Sequence, residues 1–335
     1  MNKETHPSGI YLHIPFCRHL CGYCAFAKTD KGAFSESYQL DYIKALEWEW
    51  NFRSEHIDTK KISTLYIGGG TPSRLEQNSL ERLLSFLNKK IDFNQLHEIT
   101  FEINPEDLIE RPQILDQLNT HGINRISMGL QTFQEKGIQV LERKTSGKQN
   151  HQALDLLNKH FKGRLSLDFI LAWPGQTLND LEKDLIEIQN LKAGHLSTYL
   201  LNYEPGTRLE RDRIKGRVQE LDDDLTADIW ERFQSFCLEL NYQHYEISSF
   251  CLENQESQHN TKTWDGFPYL GIGAGAVSRI KQTRWTNLKT VEGYIQHCTQ
   301  HKDPIFEREE LTSKTLWQED LLLALRHKKG LNLSD

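Results

Sequence analysis

Between residue 10 and about residue 248, short β-rich runs alternate with longer amphipathic runs, and this alternation limits the fold more than any other property of the chain. Repeated strand–helix–strand units make a parallel sheet with helices packed on it, and right-handed crossovers curl that sheet one way. The predicted strands are 10–14, 64–67, 98–103, 125–130, 164–171 and 195–201. Between them, apolar residues recur at helical spacing. Examples are Leu40, Ile43, Leu46 and Trp50 behind a cap at Ser35 or Ser37, then Ile114, Leu115 and Leu118, then Leu178, Leu181, Leu185 and Ile188. Further helices are expected near 79–89, 134–141 and 149–161. Six βα units fall short of the eight that close a (β/α)8 barrel, so the expectation is an α/β fold on a parallel sheet.

After Asn202 the texture changes, which divides the chain into regions 1–202 and 203–335. Tyr203-Glu204-Pro205-Gly206-Thr207 reads as a turn, and the charged stretch 208–220 as a solvated loop or exposed helix. Leu225, Ile229, Phe233, Phe236 and Leu240 form one apolar helical stripe, and 242–248 reads as a strand. The stretch 251–279, rich in Gly, Asn, Gln and Ser, reads as loop. The tail reads as short helices in which Leu316, Leu321, Leu322 and Leu325 pack together.

Cys17, Cys21 and Cys24 stand at C-x3-C-x2-C spacing directly after the first predicted strand. Thiolates are soft ligands, and three on one loop suit three corners of an iron–sulfur cube, leaving the fourth iron open. Zinc would want a fourth Cys or His at a matching spacing, and none follows; a disulfide pair is the other alternative. Cys237, Cys251 and Cys298 are scattered, and six cysteines in 335 residues are too few for a disulfide scaffold. A thiolate-bound cluster implies a reducing compartment, hence a cytoplasmic location. Hydrophobic content of 37% and charged content of 26% fit a globular protein. The net charge of −7 leaves no electrostatic footprint for nucleic acid. The first residues lead into no apolar leader, and no stretch is long enough for a transmembrane helix, although peripheral membrane contact stays open.

Chemistry in parallel α/β folds gathers at the carboxyl ends of strands. The second predicted strand ends in Gly68-Gly69-Gly70-Thr71-Pro72, where glycines allow close backbone approach to a ligand. Glu102 lies on the third, Gln131 follows the fourth with Arg143 farther on, and Asp168 lies on the fifth. Carboxylates can hold ribose hydroxyls or an ammonium, and a guanidinium suits a carboxylate. Each alone reads as a structural polar group; on successive strand ends they form a candidate ring around a zwitterionic nucleoside.

The cysteine loop after a strand resembles the signature of the radical S-adenosylmethionine (SAM) enzymes. The resemblance narrows through Tyr11-Leu12-His13-Ile14-Pro15-Phe16-Cys17, Ile67-Gly68-Gly69-Gly70-Thr71-Pro72, Phe101-Glu102-Ile103-Asn104-Pro105, Ser127-Met128-Gly129-Leu130-Gln131-Thr132-Phe133 and Trp173-Pro174-Gly175-Gln176-Thr177. These are similar to the HemN/HemW group, oxygen-independent coproporphyrinogen III oxidases and the related HemW-type heme chaperones. The resemblance spans about residues 9–333. It implies an open (β/α)6 partial TIM-like barrel with a smaller carboxy-terminal α+β or helical appendage, a 4Fe–4S cluster on Cys17, Cys21 and Cys24, and SAM. Carried over by position, the SAM contacts are Tyr11, Gly69, Gly70, Thr71, Glu102, Gln131, Arg143 and Asp168.

Phe26 stands where HemN-type chains carry a further cysteine, which places this chain closer to the HemW type. The segment His259-Asn260-Thr261-Lys262-Thr263-Trp264 resembles a HemW heme-binding motif, with Thr263 in place of tyrosine. A neutral imidazole is a good heme-iron ligand, while a loop histidine bonded locally is the plainer reading. The resemblance therefore implies heme contact at His259, Asn260 and Trp264, and delivery of heme to a respiratory protein, with an electron donor for the cluster. The alternative is an enzyme that oxidatively decarboxylates porphyrinogen propionates. HemW-type chains continue past the point where this sequence stops, which leaves open whether the tail is natural.

Overall fold

The computed structural model describes residues 6–331 apart from 56 and 192. The expected lack of a leader at residues 1–5 lies outside the described residues, as does the end of the resemblance at 332–333. The strands are β1 (Gly9–Ile14), β2 (Thr64–Gly69), β3 (Glu98–Ile103), β4 (Arg125–Gln131), β5 (Arg164–Leu171), β6 (His195–Leu200), β7 (Gln243–Glu246), β8 (Ser249–Cys251), β9 (Tyr269–Ile272), β10 (Val277–Ile280), β11 (Thr283–Asn287) and β12 (Ile305–Glu310). The helices are α1 (Glu36–Ser54), α2 (Gln77–Lys90), α3 (Pro105–Glu110), α4 (Ile114–Thr120), α5 (Glu135–Val140), α6 (Gly147–His160), α7 (Leu178–Gln189), α8 (Arg208–Ile214), α9 (Asp223–Glu239), α10 (Gln258–Trp264), α11 (Val291–Thr299) and α12 (Ser313–Arg326).

All described strands join one sheet, ordered β12-β11-β10-β9-β1-β2-β3-β4-β5-β6-β8-β7. From β9 through β6 every pairing is parallel, and the pairings outside that block are antiparallel. The six βα units thus form an open, curved parallel sheet, and the sheet does not close on itself. Its strands are buried on both faces, as parallel strands between helices and a filled interior must be. Outside lies an apolar layer that includes Ile10, Leu12, Leu65, Ile67, Phe101, Met128 and Phe169, covered by residues such as Leu83, Leu84, Leu154 and Leu185 from the helices. Alternate residues face the other way, into an interior that is mainly polar.

Helix starts follow local chemistry. Ser35, rather than Ser37, caps α1 by accepting from the Tyr38 N–H, and Thr177 with Asp180 makes a reciprocal capping box on α7. On α7, Leu181, Leu185 and Ile188 are buried, while Leu178 stays exposed.

Three expectations for the later region need correction. The stretch 251–279 is not loop: it contains α10, β9 and most of β10. β9 pairs in parallel with β1, with Gly271 opposite Tyr11, and a Cβ at Gly271 would run into the Val277 carbonyl oxygen. Its glycine therefore marks close backbone approach. The tail is not all helix, because β12 forms an edge strand. Its sequence Glu307-Arg308-Glu309-Glu310 is exposed, which suits an edge that must not pair with another chain. The leucines of α12 do not pack together in a core: the helix has no fully buried residue, and Leu322 and Leu325 are exposed.

Candidate functional site

The cysteine loop leaves β1, and its three thiols line a cavity of about 770 Å³ at the carboxyl ends of the parallel strands. That volume lies within the range of about 300–1,000 Å³ usual for small-molecule sites. The loop is tied down from its own end, because Lys28 Nζ donates to the carbonyls of Cys21 (2.9 Å) and Cys24 (2.6 Å). Thr71 Oγ1 donates to Cys17 Sγ at 3.6 Å, and burial pushes the Cys17 thiol up to about 12. All six cysteines are free thiols. Among the described residues, no three His, Cys, Asp or Glu side chains gather closely enough to hold a single ion. Three thiols of one loop lining the cavity are a donor set suited to a multi-iron group.

The adjoining wall is the end of β2, next to β1 in the sheet. Gly69 has φ 113°, and a Cβ there would run into the His13 ring. Only glycine fits this left-handed turn and leaves its backbone against the cavity. Gly69 N donates to Glu102 Oε2 (2.9 Å), and Tyr66 Oη donates to Glu102 Oε1 (2.7 Å). Burial raises the Glu102 carboxyl above its ordinary range, against these two hydrogen bonds. Burial pushes Asp168 up to about 7, and Glu102 adds in the same direction. Ser127 Oγ lies 3.2 Å from both Asp168 oxygens.

Gln131 reaches the cavity through a break in register between β4 and β5, and its φ of 69° is unusual for a residue with a side chain. Arg143 donates to Asn104 Oδ1 (2.8 Å) and to the Gly129 carbonyl (3.0 Å), with Nη1 3.9 Å from Cys21 Sγ. Asn104 in turn donates to Thr71 Oγ1 (3.0 Å). One hydrogen-bonded chain therefore runs from Cys17 through Thr71 and Asn104 to Arg143 and Cys21. Arg143 Nη2 is ion-paired with Glu106 Oε2 at 3.9 Å, and Arg143 Nε is buried with no hydrogen-bond partner. The thiols, the glycine cradle and the paired carboxylates fit the cluster and the zwitterionic nucleoside that the resemblance implies.

Cys17, Cys21, Cys24, Gly69, Gly70, Thr71, Glu102, Gln131, Arg143 and Asp168 all line this cavity. Tyr11 does not. It sits behind the wall, with its ring 6.1 Å from Tyr66 and its hydroxyl 2.9 Å from His13 Nδ1. His13 Nε2 meets the Ala27 carbonyl at 2.6 Å, so Nε2 carries the proton and Nδ1 accepts from Tyr11.

The His259-Asn260-Trp264 segment is α10, which packs against the amino ends of β1, β2 and β3. The buried Glu98 carboxylate accepts the N–H groups of Gln258 (2.9 Å) and His259 (3.0 Å) and is paired with Arg164 (3.0 Å). Asn260 lines the cavity. His259 faces inward: it is 6% exposed, its Nδ1 lies 3.0 Å from Thr64 Oγ1, and its ring lies 5.3 Å from Tyr66. Burial pushes its pKa down to about 4. His259, the iron ligand that the resemblance implies, is thus a buried histidine whose ring is bonded to Thr64 at the start of β2. Trp264 backs Arg326, whose guanidinium lies 4.7 Å from the indole ring centroid. Phe26 is 69% exposed at the cavity lining.

Sequence reasoning passed over Tyr66, Ser127, Ser197 and Arg326, which also line the cavity. Two were findable from alternation, because Tyr66 precedes Gly68 by two and Ser127 precedes Gly129 by two, whereas Ser197 is placed by its pairing across from Asp168, which the fold decides. Alternate strand residues share a face. Arg326 carried no such signal.

The Radical SAM superfamily model matches residues 11–188. The chain is 34% identical to the heme chaperone HemW of Lactococcus lactis over 97% of its own length and 83% of that relative. It is 33% identical to the heme chaperone HemW of Bacillus subtilis, over 96% and 84%. Among solved structures it is similar to coproporphyrinogen III oxidase (HemN) from Escherichia coli, with a TM-score of 0.82 at 22% identity, covering 97% of this chain and 77% of that one. This last likeness concerns the fold.

Proposed function

Because this chain belongs to the radical SAM superfamily and, within it, to the family of the HemW heme chaperones, we propose that it binds heme and hands it to a respiratory protein. The observation that carries the proposal is the likeness to heme chaperones along nearly the whole chain. The cavity supports it by assembling three thiols, a glycine cradle and buried carboxylates on one set of strand ends. In this reading residues 1–202 are the radical SAM core and 203–335 the heme-side region, and the protein works in the cytoplasm with an electron donor. Among the described residues, no helix is long and apolar enough to cross a membrane.

Cys17, Cys21 and Cys24 would hold a 4Fe–4S cluster, and Gly69, Gly70, Thr71, Glu102, Gln131, Arg143 and Asp168 would surround SAM, with Tyr11 bracing the wall behind them. When bound, the cluster supplies an electron to the SAM sulfonium. The residues of this chain orient the cofactor: Glu102 and Asp168 are acceptors for an ammonium or ribose hydroxyls, and Arg143 is a donor for a carboxylate. Heme would meet the cavity at Asn260, with His259 and Trp264 as the supports behind it. Phe26 offers neither a thiolate nor a proton carrier where the oxidase type has a cysteine, which disfavours coproporphyrinogen turnover.

Anaerobic reconstitution followed by a hemin titration and a coproporphyrinogen assay tests the proposal. The expected result is saturable hemin binding without decarboxylation. Loss of the iron–sulfur absorption is expected in Cys17→Ala, Cys21→Ala or Cys24→Ala, and not in Cys237→Ala, Cys251→Ala or Cys298→Ala. His259→Ala is expected to leave the Soret maximum of bound hemin in place, because Thr64 already holds the ring. Sustained decarboxylation by the reconstituted protein would overturn the chaperone reading.

A further inference from the structure

Beyond the strand ends assigned to SAM, the cavity extends to Ser248, Asn260 and Arg326. We propose that Arg326 is a carboxylate-recognising residue at this end, and that the ligand it takes is a flat apolar body with a carboxylate at its edge. The proposal rests on reading the cavity as a tetrapyrrole site and names the group that would fix the ligand's orientation.

Arg326 is held in place three ways. Its backbone is stitched to the β7 hairpin: Ile247 N donates to the Arg326 carbonyl (3.1 Å), Lys328 N donates to the Tyr245 carbonyl (3.0 Å), and Glu246 bridges to His327. Its guanidinium lies over Trp264. Its Nε is 3.0 Å from Glu246 Oε2, whose side chain is fully buried, whereas the Arg326 side chain remains 31% exposed. The charge pairing lies on the Nε side of the guanidinium, and the Arg326 side chain reaches the cavity lining. A planar fork fixed by stacking and an ion pair loses little freedom when it binds a carboxylate in two-point fashion.

The apolar half of the recognition is provided by exposed rings and side chains on the same lining. Phe26, Tyr199 and Leu200 are 69%, 47% and 40% exposed, and Ile170 lies with them. Large apolar groups gathered at one concave site mark a binding surface. A cation at one end and apolar walls elsewhere select an amphiphile by its acid group.

The alternative is that Arg326 merely fastens α12 to the hairpin. Titrating the full chain with hemin and with hemin dimethyl ester, in the same mild detergent, separates the two. The wild-type chain should bind hemin about tenfold more tightly than the ester, as one charge-assisted pair allows. Arg326→Gln should abolish that preference by weakening hemin alone, and Arg326→Lys should restore part of it. Equal affinity for hemin and ester in the wild type, or an equal loss for both in Arg326→Gln, would overturn the assignment while leaving the tetrapyrrole reading intact. Failure of the wild type to bind either compound would overturn both.

Discussion

Asp168 faces Glu102, Ser127, Ser197 and Arg125 inside the curved sheet. Burial, reinforced by Glu102, brings its carboxyl to about 7, far above the ordinary value of about 3.9. The sign of the linkage follows. Between those two values the folded chain holds a proton that the unfolded chain has lost. The neutral carboxyl's contribution is therefore complete below about pH 4 and is lost as pH rises through about 7. Replacing it with Asn should raise the melting temperature most at about pH 8 and least at about pH 4. A ligand ammonium or ribose prefers the carboxylate, so SAM affinity should rise several-fold between about pH 6 and 8, and Asp168→Asn should bind weakly with no such rise. A pH-independent affinity in calorimetry on the wild type would remove Asp168 from the site.

β9 illustrates what an element needs from the rest of the chain. Four residues, Tyr269–Ile272, with a glycine among them, have no strand signal of their own. They become a strand because β1 presents an unpaired parallel edge and β10 presses on the other side. Gly271→Val should destabilise the protein by about 1–3 kcal/mol, the usual cost of overpacking a tight contact. A denaturant titration in which the variant matches the wild type would refute the close approach. The cysteine loop is the opposite case: its spacing alone announced its chemistry.

For the whole molecule, the consequence of one continuous sheet is that residues 203–335 protect both edges of the parallel block. β9 covers β1, and β8 covers β6. A chain cut after Asn202 would expose both edges at once. The fragment 1–202 is expected to aggregate or to show no cooperative thermal transition, whereas the full chain should melt cooperatively in circular dichroism. A sharp, reversible transition in the fragment would show that the parallel block is self-sufficient. A functional division near Asn202 is compatible with structural dependence across it.

The sequence by itself determined the six βα units, the cysteine loop and the side chains at successive strand ends. Each of these is local: helical and strand periodicities report burial within a window, and thiol spacing reports ligand geometry within one loop. Resemblance across almost the full chain then supplied the cofactors and the family. Only the tertiary structure decided that His259 turns under the wall to Thr64, that 251–279 supplies a helix and two strands, that Leu322 and Leu325 of α12 stay exposed, and that Arg326 reaches the cavity lining. Each depends on a partner distant in the chain, as His259 does on Thr64 and Arg326 on Glu246 and Trp264. Such pairings come from the packing of the later region against the sheet and against itself, and no local periodicity encodes which residues will meet.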